Sequence, residues 1–354
     1  MMSKIFLRNI TTLLLVMALF FAHGTIYADS NTDVDKYTAI IQSNPNDDSA
    51  YNNRGVVYNN LKQYERAIQD FHKAIQLNPN VANIYVNRGF AYSHLGQYEQ
   101  AFQDYDKAIE LNPNLAEAFY NRGSTYYDLG KYEQALQDYD KAVSINPNDA
   151  SFYNNRGLTY ANGVRKYTQA IEDFDKAVLL NPNFATAYNN RGETYRHLKK
   201  YDQAFLDYRK AIQLDPNYAT AYFNLGKACN DLGQYDKAVK CFDKAIYLEP
   251  DNWGAYNHRG LTYYNLGQKE RAIQDFTKAI ELNPKEDSIY YVRGMIYCRL
   301  KNYEKAVDDF NMTLQLNPSR VGAYEMRGLA YQKLGNKEKS KADLAKYKEL
   351  NKKR

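Results

Sequence analysis

The sequence predicts an all-α solenoid in which pairs of short antiparallel helices repeat from residue 48 to residue 354. Three observations predict it. Pro45, Pro79, Pro113, Pro147, Pro182, Pro216, Pro250, Pro284 and Pro318 are spaced 34 residues apart except for one interval of 35, between Pro147 and Pro182. Nine glycines from Gly55 to Gly328 keep the same step and the same slip. Inside each period, apolar residues recur at steps of three and four, as on the face of a helix. A fixed period of this length signifies stacked supersecondary units.

Counting from Asp48 gives repeats 48–81, 82–115, 116–149, 150–184, 185–218, 219–252, 253–286, 287–320 and 321–354. The last ends with the sequence, which on this reading leaves no space for a separate domain. In 116–149, Phe119, Arg122, Gly123, Tyr126 and Leu129 make one stripe. After Gly130, Tyr132, Ala135, Leu136, Tyr139, Ala142, Val143 and Ile145 make a second. Asn146-Pro147-Asn148 is expected to stop the second helix and to supply an asparagine cap for the next. The one 35-residue repeat places its extra residue around Asn162-Gly163-Val164, where a longer turn is expected.

Helices of about thirteen residues are marginal alone, so stacking must stabilise them. Glycine inside a helix costs about 1 kcal/mol relative to alanine. Its recurrence at the eighth place, with alanine at the twentieth and usually the twenty-seventh, implies close helix approach, with Tyr126 and Tyr139 filling the space around Gly123, Ala135 and Ala142.

The first residues read differently. Lys4 and Arg8 form a positive region, Ile10 to Ala22 is apolar apart from two threonines, and Ile26-Tyr27-Ala28 is an imperfect cleavage site before Asp29. Residues 1–28 are therefore expected to be an export signal, with an uncleaved membrane anchor as the alternative, since Asn9 to Ala28 is uncharged. Membrane contact is expected only in that alternative. Residues 29–47 form a linker and a partial repeat helix. The expected location is the bacterial periplasm or the exterior.

Lys and Arg number 46 against 41 Asp and Glu, a formal charge of +5 that falls to +3 without residues 1–28. This near balance, with the export signal, opposes a nucleic-acid partner. The three cysteines, Cys229, Cys241 and Cys298, have no metal-ligand spacing and form no disulfide framework. They read as ordinary thiols, with a Cys229/Cys241 pair as the alternative because both lie in one repeat.

The places occupied by Tyr85, Gly89, Tyr92, Ala101, Tyr105, Ala108 and Pro113 give the chain its resemblance to the tetratricopeptide repeat family. The resemblance covers 48–354, and residues 34–47 look like the second helix of a decayed repeat. It implies a right-handed superhelix whose concave groove takes extended peptides or partner helices.

One departure is consistent. Where the family often has leucine at the seventh place, this chain has Arg54, Arg88, Arg122, Arg156, Arg191, Arg259, Arg293 and Arg327. The same eight repeats have aspartate at the twenty-third place, Arg122 with Asp138 and Arg156 with Asp173 among them, while the sixth repeat has Leu225 and Cys241. Joint presence and joint loss predict a partly buried bridge between the two helices; duplication of one ancestral repeat would also produce the pattern. At the end of the array, Lys341 and Lys348 replace apolar residues, as a solvent-facing cap requires.

Packing leaves the second, fifth, sixth, ninth, twelfth and thirteenth places of each first helix on one side. The sixth is Asn53, Asn87, Asn121, Asn155, Asn190 and Asn224, then His258, Val292 and Met326. This amide ladder suits the backbone of an extended peptide; bonds to the neighbouring helix or to water are the alternative. Phe90, Tyr120, Tyr127, Phe223, Tyr264 and Tyr291 stand beside it as candidate anchors, and Arg196, His197, Lys227, Arg299 and Lys333 make the second half more basic, partly offset by Glu193, Asp128 and Asp231. Family members that clamp a C-terminal carboxylate use a fifth-place lysine with a ninth-place asparagine. Here the fifth place holds no lysine and the ninth no asparagine.

No His, Cys or carboxylate breaks the repeat in a way that suggests a catalytic centre. The function expected is a non-catalytic scaffold binding proteins or peptides, with no cofactor and no small-molecule substrate. A regulatory subunit of an envelope enzyme is the second reading, and an RNA-binding repeat protein the third.

Overall fold

The computed structural model describes residues 32–352, and these form two units divided between Asn181 and Pro182. The export-signal reading of residues 1–28 lies outside them. In the N-terminal unit, α1 (32–43) precedes α2 (Asp48–Asn60), α3 (Tyr64–Leu77), α4 (Ala82–His94), α5 (Tyr98–Leu111), α6 (Ala116–Asp128), α7 (Tyr132–Ile145), α8 (Ala150–Leu158) and α9 (Tyr167–Leu180). The C-terminal unit contains α10 (Ala185–His197), α11 (Tyr201–Leu214), α12 (Ala219–Asp231), α13 (Tyr235–Leu248), α14 (Trp253–Asn265), α15 (Lys269–Leu282), α16 (Asp287–Arg299), α17 (Tyr303–Leu316), α18 (Val321–Lys333) and α19 (Lys337–Asn351). Within each unit, successive helices pack on one another as an all-α repeat array. No described helix is long and apolar enough to cross a membrane.

The core of each unit is built on the twenty-fourth-place side chains of its second helices. Phe71, Tyr105, Tyr139 and Phe174 in the N-terminal unit, and Tyr208, Phe242, Phe276 and Phe310 in the C-terminal unit, are buried. Each buried ring contributes about 2–3 kcal/mol by area, which two marginal helices need. Trp253, the first residue of α14, packs on the cluster of Phe276 and Ile289.

Two local expectations require correction. The N-cap of α8 is Asp149, whose carboxylate accepts from Ser151 N at 2.8 Å, while Asn148 N donates to Asn146 Oδ1 at 3.2 Å. The asparagines thus brace the proline turn, and capping falls to the residue after them. The extra residue of the 35-residue repeat lengthens no loop. A π-helical turn, Thr159–Gly163, absorbs it at the end of α8, with Val164 N donating to Thr159 O. That turn presses on the preceding repeat, where a Cβ on Gly163 would lie 2.6 Å from Tyr132 Cγ.

The α1 helix stands where a second helix stands in later repeats. Thr38 accepts from Arg54 Nη1 at 3.0 Å, sixteen residues ahead, as second-helix residues do in later repeats. At the other end, Lys341 and Lys348 are exposed.

Candidate functional site

Arg122 joins α6 to α7 by donating Nε to Asp138 Oδ2 at 2.8 Å and Nη2 to Asp138 Oδ1 at 2.7 Å. Arg156 and Asp173 repeat this geometry at 2.8 and 2.6 Å, and the other six arginines do the same with their aspartates. The remaining nitrogen was missed by the sequence reading. Nη1 reaches back to the second helix of the preceding repeat, from Arg122 to Asp106 at 2.6 Å, Arg156 to Asp140 at 2.8 Å, and Arg259 to Asp243 at 2.6 Å. Each such arginine therefore ties three helices. The signal was present at the twenty-fifth place, which offers Thr38, Asp106, Asp140, Asp243, Thr277 and Asn311 as acceptors, but His72 before Arg88 and Arg209 before the repeat that has Leu225.

Burial opposes these bridges. It holds the carboxyls of Asp104, Asp173 and Asp309 above their usual range despite the facing arginines. At a buried bridge of this kind, losing one partner strands a charge.

The sixth-place asparagines are seam residues between first helices. Asn87 Nδ2 donates to Asn52 Oδ1 at 3.0 Å, Asn155 Nδ2 to Tyr120 Oη at 2.8 Å, and Asn224 Nδ2 to Asn189 Oδ1 at 3.0 Å. The partner is always the fifth-place residue of the preceding repeat. Where that residue is Val86 and cannot accept, Asn121 turns to its own helix and donates to Glu117 O at 2.9 Å. Asn53 and Asn190 accept from the amides of Asn52 and Asn189 at 3.4 Å. Bonding to the neighbouring helix thus describes Asn87, Asn155 and Asn224, while Asn53 is exposed and Asn121 half-buried.

Around this seam the two units differ. In the N-terminal unit the face is aromatic. Phe90 meets His94 edge-on with ring centroids at 4.3 Å, and His94 stacks on Tyr64 at 4.9 Å. Tyr120 lies 4.9 Å from Phe152, and Tyr127 lies 5.6 Å from Tyr132. Phe90, Tyr120 and Tyr127 are half-buried, leaving part of each ring at the surface.

In the C-terminal unit the face is a charge network. Glu193 accepts two hydrogen bonds from Arg196, at 3.0 and 2.9 Å, one from Lys227 at 2.8 Å and one from the Tyr208 hydroxyl at 2.8 Å. Arg196 also bridges to Asp231 at 2.6 Å. Burial would raise the Glu193 carboxyl, but Arg196 and Lys227 overcome it and hold it at about 2. Glu193 and Asp231 therefore offset Arg196 and Lys227, while Arg299 and Lys333 of the expected basic half are exposed. Behind them His258 packs against Phe223 and Phe242, and burial together with the Lys227 and Arg196 charges lowers it to about 4. Lys227 lies over the Phe223 ring at 5.2 Å, Arg299 over Tyr264 at 5.4 Å, and Arg320 over Tyr291 at 4.5 Å. Among the described residues no group of three or more His, Cys, Asp or Glu side chains could hold a metal ion.

Family models described as "TPR repeat" match residues 92–130, 123–163, 166–197 and 192–230, and models described as "Tetratricopeptide repeat" match 49–81, 71–103, 219–252, 254–286, 288–320 and 321–354. The chain belongs to the tetratricopeptide repeat family. No curated protein matches it. Among solved structures, this tetratricopeptide chain is similar to a tetratricopeptide repeat protein from Parabacteroides merdae, at 22% identity and a TM-score of 0.56 over 70% of this chain and 98% of that one. It is also similar to PilW, described as a widely conserved type IV pilus biogenesis factor, at 20% identity and 0.56 over 60% and 97%. The Cut9-Hcn1 hetero-tetramer of the APC/C matches at 18% identity and 0.53 over 86% and 73%. These likenesses show the shared fold. The seventh-place arginines of this tetratricopeptide chain account for eight buried or half-buried ion pairs between paired helices.

Proposed function

We propose that this tetratricopeptide chain is a non-catalytic adaptor that holds a protein or peptide partner against the first-helix face of its repeats. The observation that carries this reading is the aromatic face of the N-terminal unit. Phe90, Tyr120 and Tyr127 stand half-exposed beside Asn121, whose amide bonds only within its own helix. Rings with an apolar body and a polar tip are effective anchors at interfaces. Asn121 supplies backbone-directed polarity between them. In the C-terminal unit, by contrast, Glu193 and Asp231 on the corresponding face are bonded to Arg196 and Lys227.

Export belongs to the same proposal, supported by Lys4, Arg8 and the apolar stretch from Ile10 to Ala22. N-terminal sequencing of the protein recovered from the cell envelope should begin at Asp29. A start at Met1 would favour the anchor instead.

The partner site is tested with a photocrosslinking amino acid placed at Tyr127 and, as a control, at half-exposed Lys107 on a second helix. One partner should crosslink from Tyr127 only. Phe90→Ala with Tyr127→Ala should then weaken its binding by about tenfold or more, the loss expected of two anchor residues, with helical content unchanged. Equal crosslinking from both sites would remove this face as the binding surface.

A further inference from the structure

The sixth repeat differs from the other eight at three places that touch one another. The eleventh, seventh and twenty-third places, elsewhere tyrosine, arginine and aspartate, are Cys229, Leu225 and Cys241. Two of the chain's three cysteines thus occupy the space between α12 and α13 where every other repeat has its clamp. Both thiols, with Leu225, line a cavity of about 440 Å³ whose rim includes Arg209, Lys237 and Lys240, with Asp202 as the opposing charge. Cys229 is buried against Ala238 and Phe242, while Cys241 is half-exposed.

We propose that Cys229 and Cys241 form a redox dithiol that small anionic disulfides convert into an interhelical disulfide, a covalent substitute for the missing Arg-Asp clamp. One thiolate of the pair attacks a sulfur of the oxidant RSSR, forming a mixed disulfide and releasing RS⁻. The second cysteine, losing its proton, attacks the protein sulfur of that mixed disulfide and expels the second RS⁻. The protein loses two electrons and two protons, and the oxidant becomes two RSH. The cationic rim selects oxidants bearing carboxylates, of which oxidised glutathione is the simplest probe.

The electrostatics favour the first step. A hydrogen bond from Cys241, reinforced by the charges of Lys237 and Arg209, holds the Cys229 thiol below its ordinary range. Attack needs the thiolate, so Cys229 is the attacking sulfur, while the same hydrogen bond and burial push the Cys241 thiol up and keep its proton until the second step. Cys298 provides an internal control, because burial alone pushes its thiol up and no second cysteine faces it.

The test is performed on the full chain, equilibrated in buffers of reduced and oxidised glutathione, quenched with acid, alkylated and peptide-mapped by mass spectrometry. The expected result is joint loss of alkylation at Cys229 and Cys241 with a Cys229–Cys241 linkage, while Cys298 remains alkylated. Oxidation should be at least about ten times faster than modification of Cys298. At low salt it should be several-fold faster with oxidised glutathione than with cationic cystamine. In Cys241→Ser, a glutathione mixed disulfide should accumulate on Cys229. The proposal is overturned if the folded protein stays doubly alkylated in fully oxidised buffer while the urea-unfolded chain forms the bond, or if Cys298 reacts as fast as the pair.

Discussion

In the third repeat Arg122 reaches from α6 to Asp138 on α7 and back to Asp106, with Phe119 under its guanidinium at 5.6 Å. In the sixth, Leu225 occupies the arginine's place and joins Cys229, Ala238 and Phe242 in an apolar cluster. In both repeats a first-helix glycine nonetheless lies against a buried second-helix ring. A Cβ on Gly123 would stand 3.2 Å from Tyr139, and one on Gly226 would stand 2.7 Å from Phe242. Glycine against a buried ring therefore sets how closely the paired helices approach, and the side chains at places seven and twenty-three decide only what fills the adjoining space. Either a matched charge pair or a matched apolar pair is acceptable there, and a mismatch is not.

The largest expected effect comes from creating that mismatch. Asp138→Ala should cost about 3 kcal/mol, at the low end for a partner removed from a buried bridge because Arg122 retains Asp106. Cys241→Ala in the sixth repeat should cost only about 1 kcal/mol, since it removes one small group from an apolar site. Urea denaturation of the two variants measures the difference, and equal losses would mean that Arg122 is stable without its aspartate.

The reverse mismatch should be somewhat smaller. Leu225→Arg places a cation beside Arg209 with no carboxylate at place twenty-three or twenty-five to meet it, at a cost of about 2 kcal/mol. Adding Cys241→Asp and Arg209→Asp rebuilds both acceptors and should restore most of the loss. If the triple variant is no more stable than the single one, the twenty-fifth place has no part in the clamp.

A pH titration separates the surroundings of the two repeats. Beside the sixth repeat, Glu193 is held at about 2, below its ordinary 4.5, so its contribution is fully present above pH 4.5 and is lost as pH falls toward 2. His258, lowered to about 4 from 6.5, resists protonation in the fold while the unfolded chain accepts it, so stability also falls as pH drops from 6.5 to 4. The groups facing His258 are Lys227, Arg196, Asp231 and Glu193. His258→Asn should flatten the stability curve between pH 6.5 and 4, and Glu193→Gln should flatten it below 4.5, each followed by thermal melting. Unchanged slopes would show that neither group titrates with folding.

The smallest effect is expected from transplanting the sixth repeat's solution. Arg122→Leu combined with Asp138→Cys should change stability by less than about 1 kcal/mol, because exchanging a buried ion pair for apolar groups is near neutral. A loss as large as that of Asp138→Ala would instead assign the clamp a net stabilising role.

Much of this was legible in the residues alone. The 34-residue step of proline and glycine required helical pairs, since helices this short cannot stand singly. Eight matched arginines and aspartates, with one joint exception, pointed to a bridge because an unmatched charge in that place is costly. The acceptors at the twenty-fifth place carried an equally readable signal, with Arg209 standing before Leu225, yet they belong to the preceding repeat and a reading confined to one period passes over them.

What the amino-acid order determined by itself was whatever depends on spacing along one helix or within one repeat: helix length, the buried stripe, the close approach at glycine and the pairing of places seven and twenty-three. The folded structure decided what depends on how one repeat lies on the next. It turned Asn87, Asn155 and Asn224 into seam bonds, neutralised Arg196 and Lys227 with Glu193, and absorbed an inserted residue as a π turn. Those outcomes depend on angles and distances between helices separated by a full period. A side chain's reach across that gap is fixed only when the helices dock.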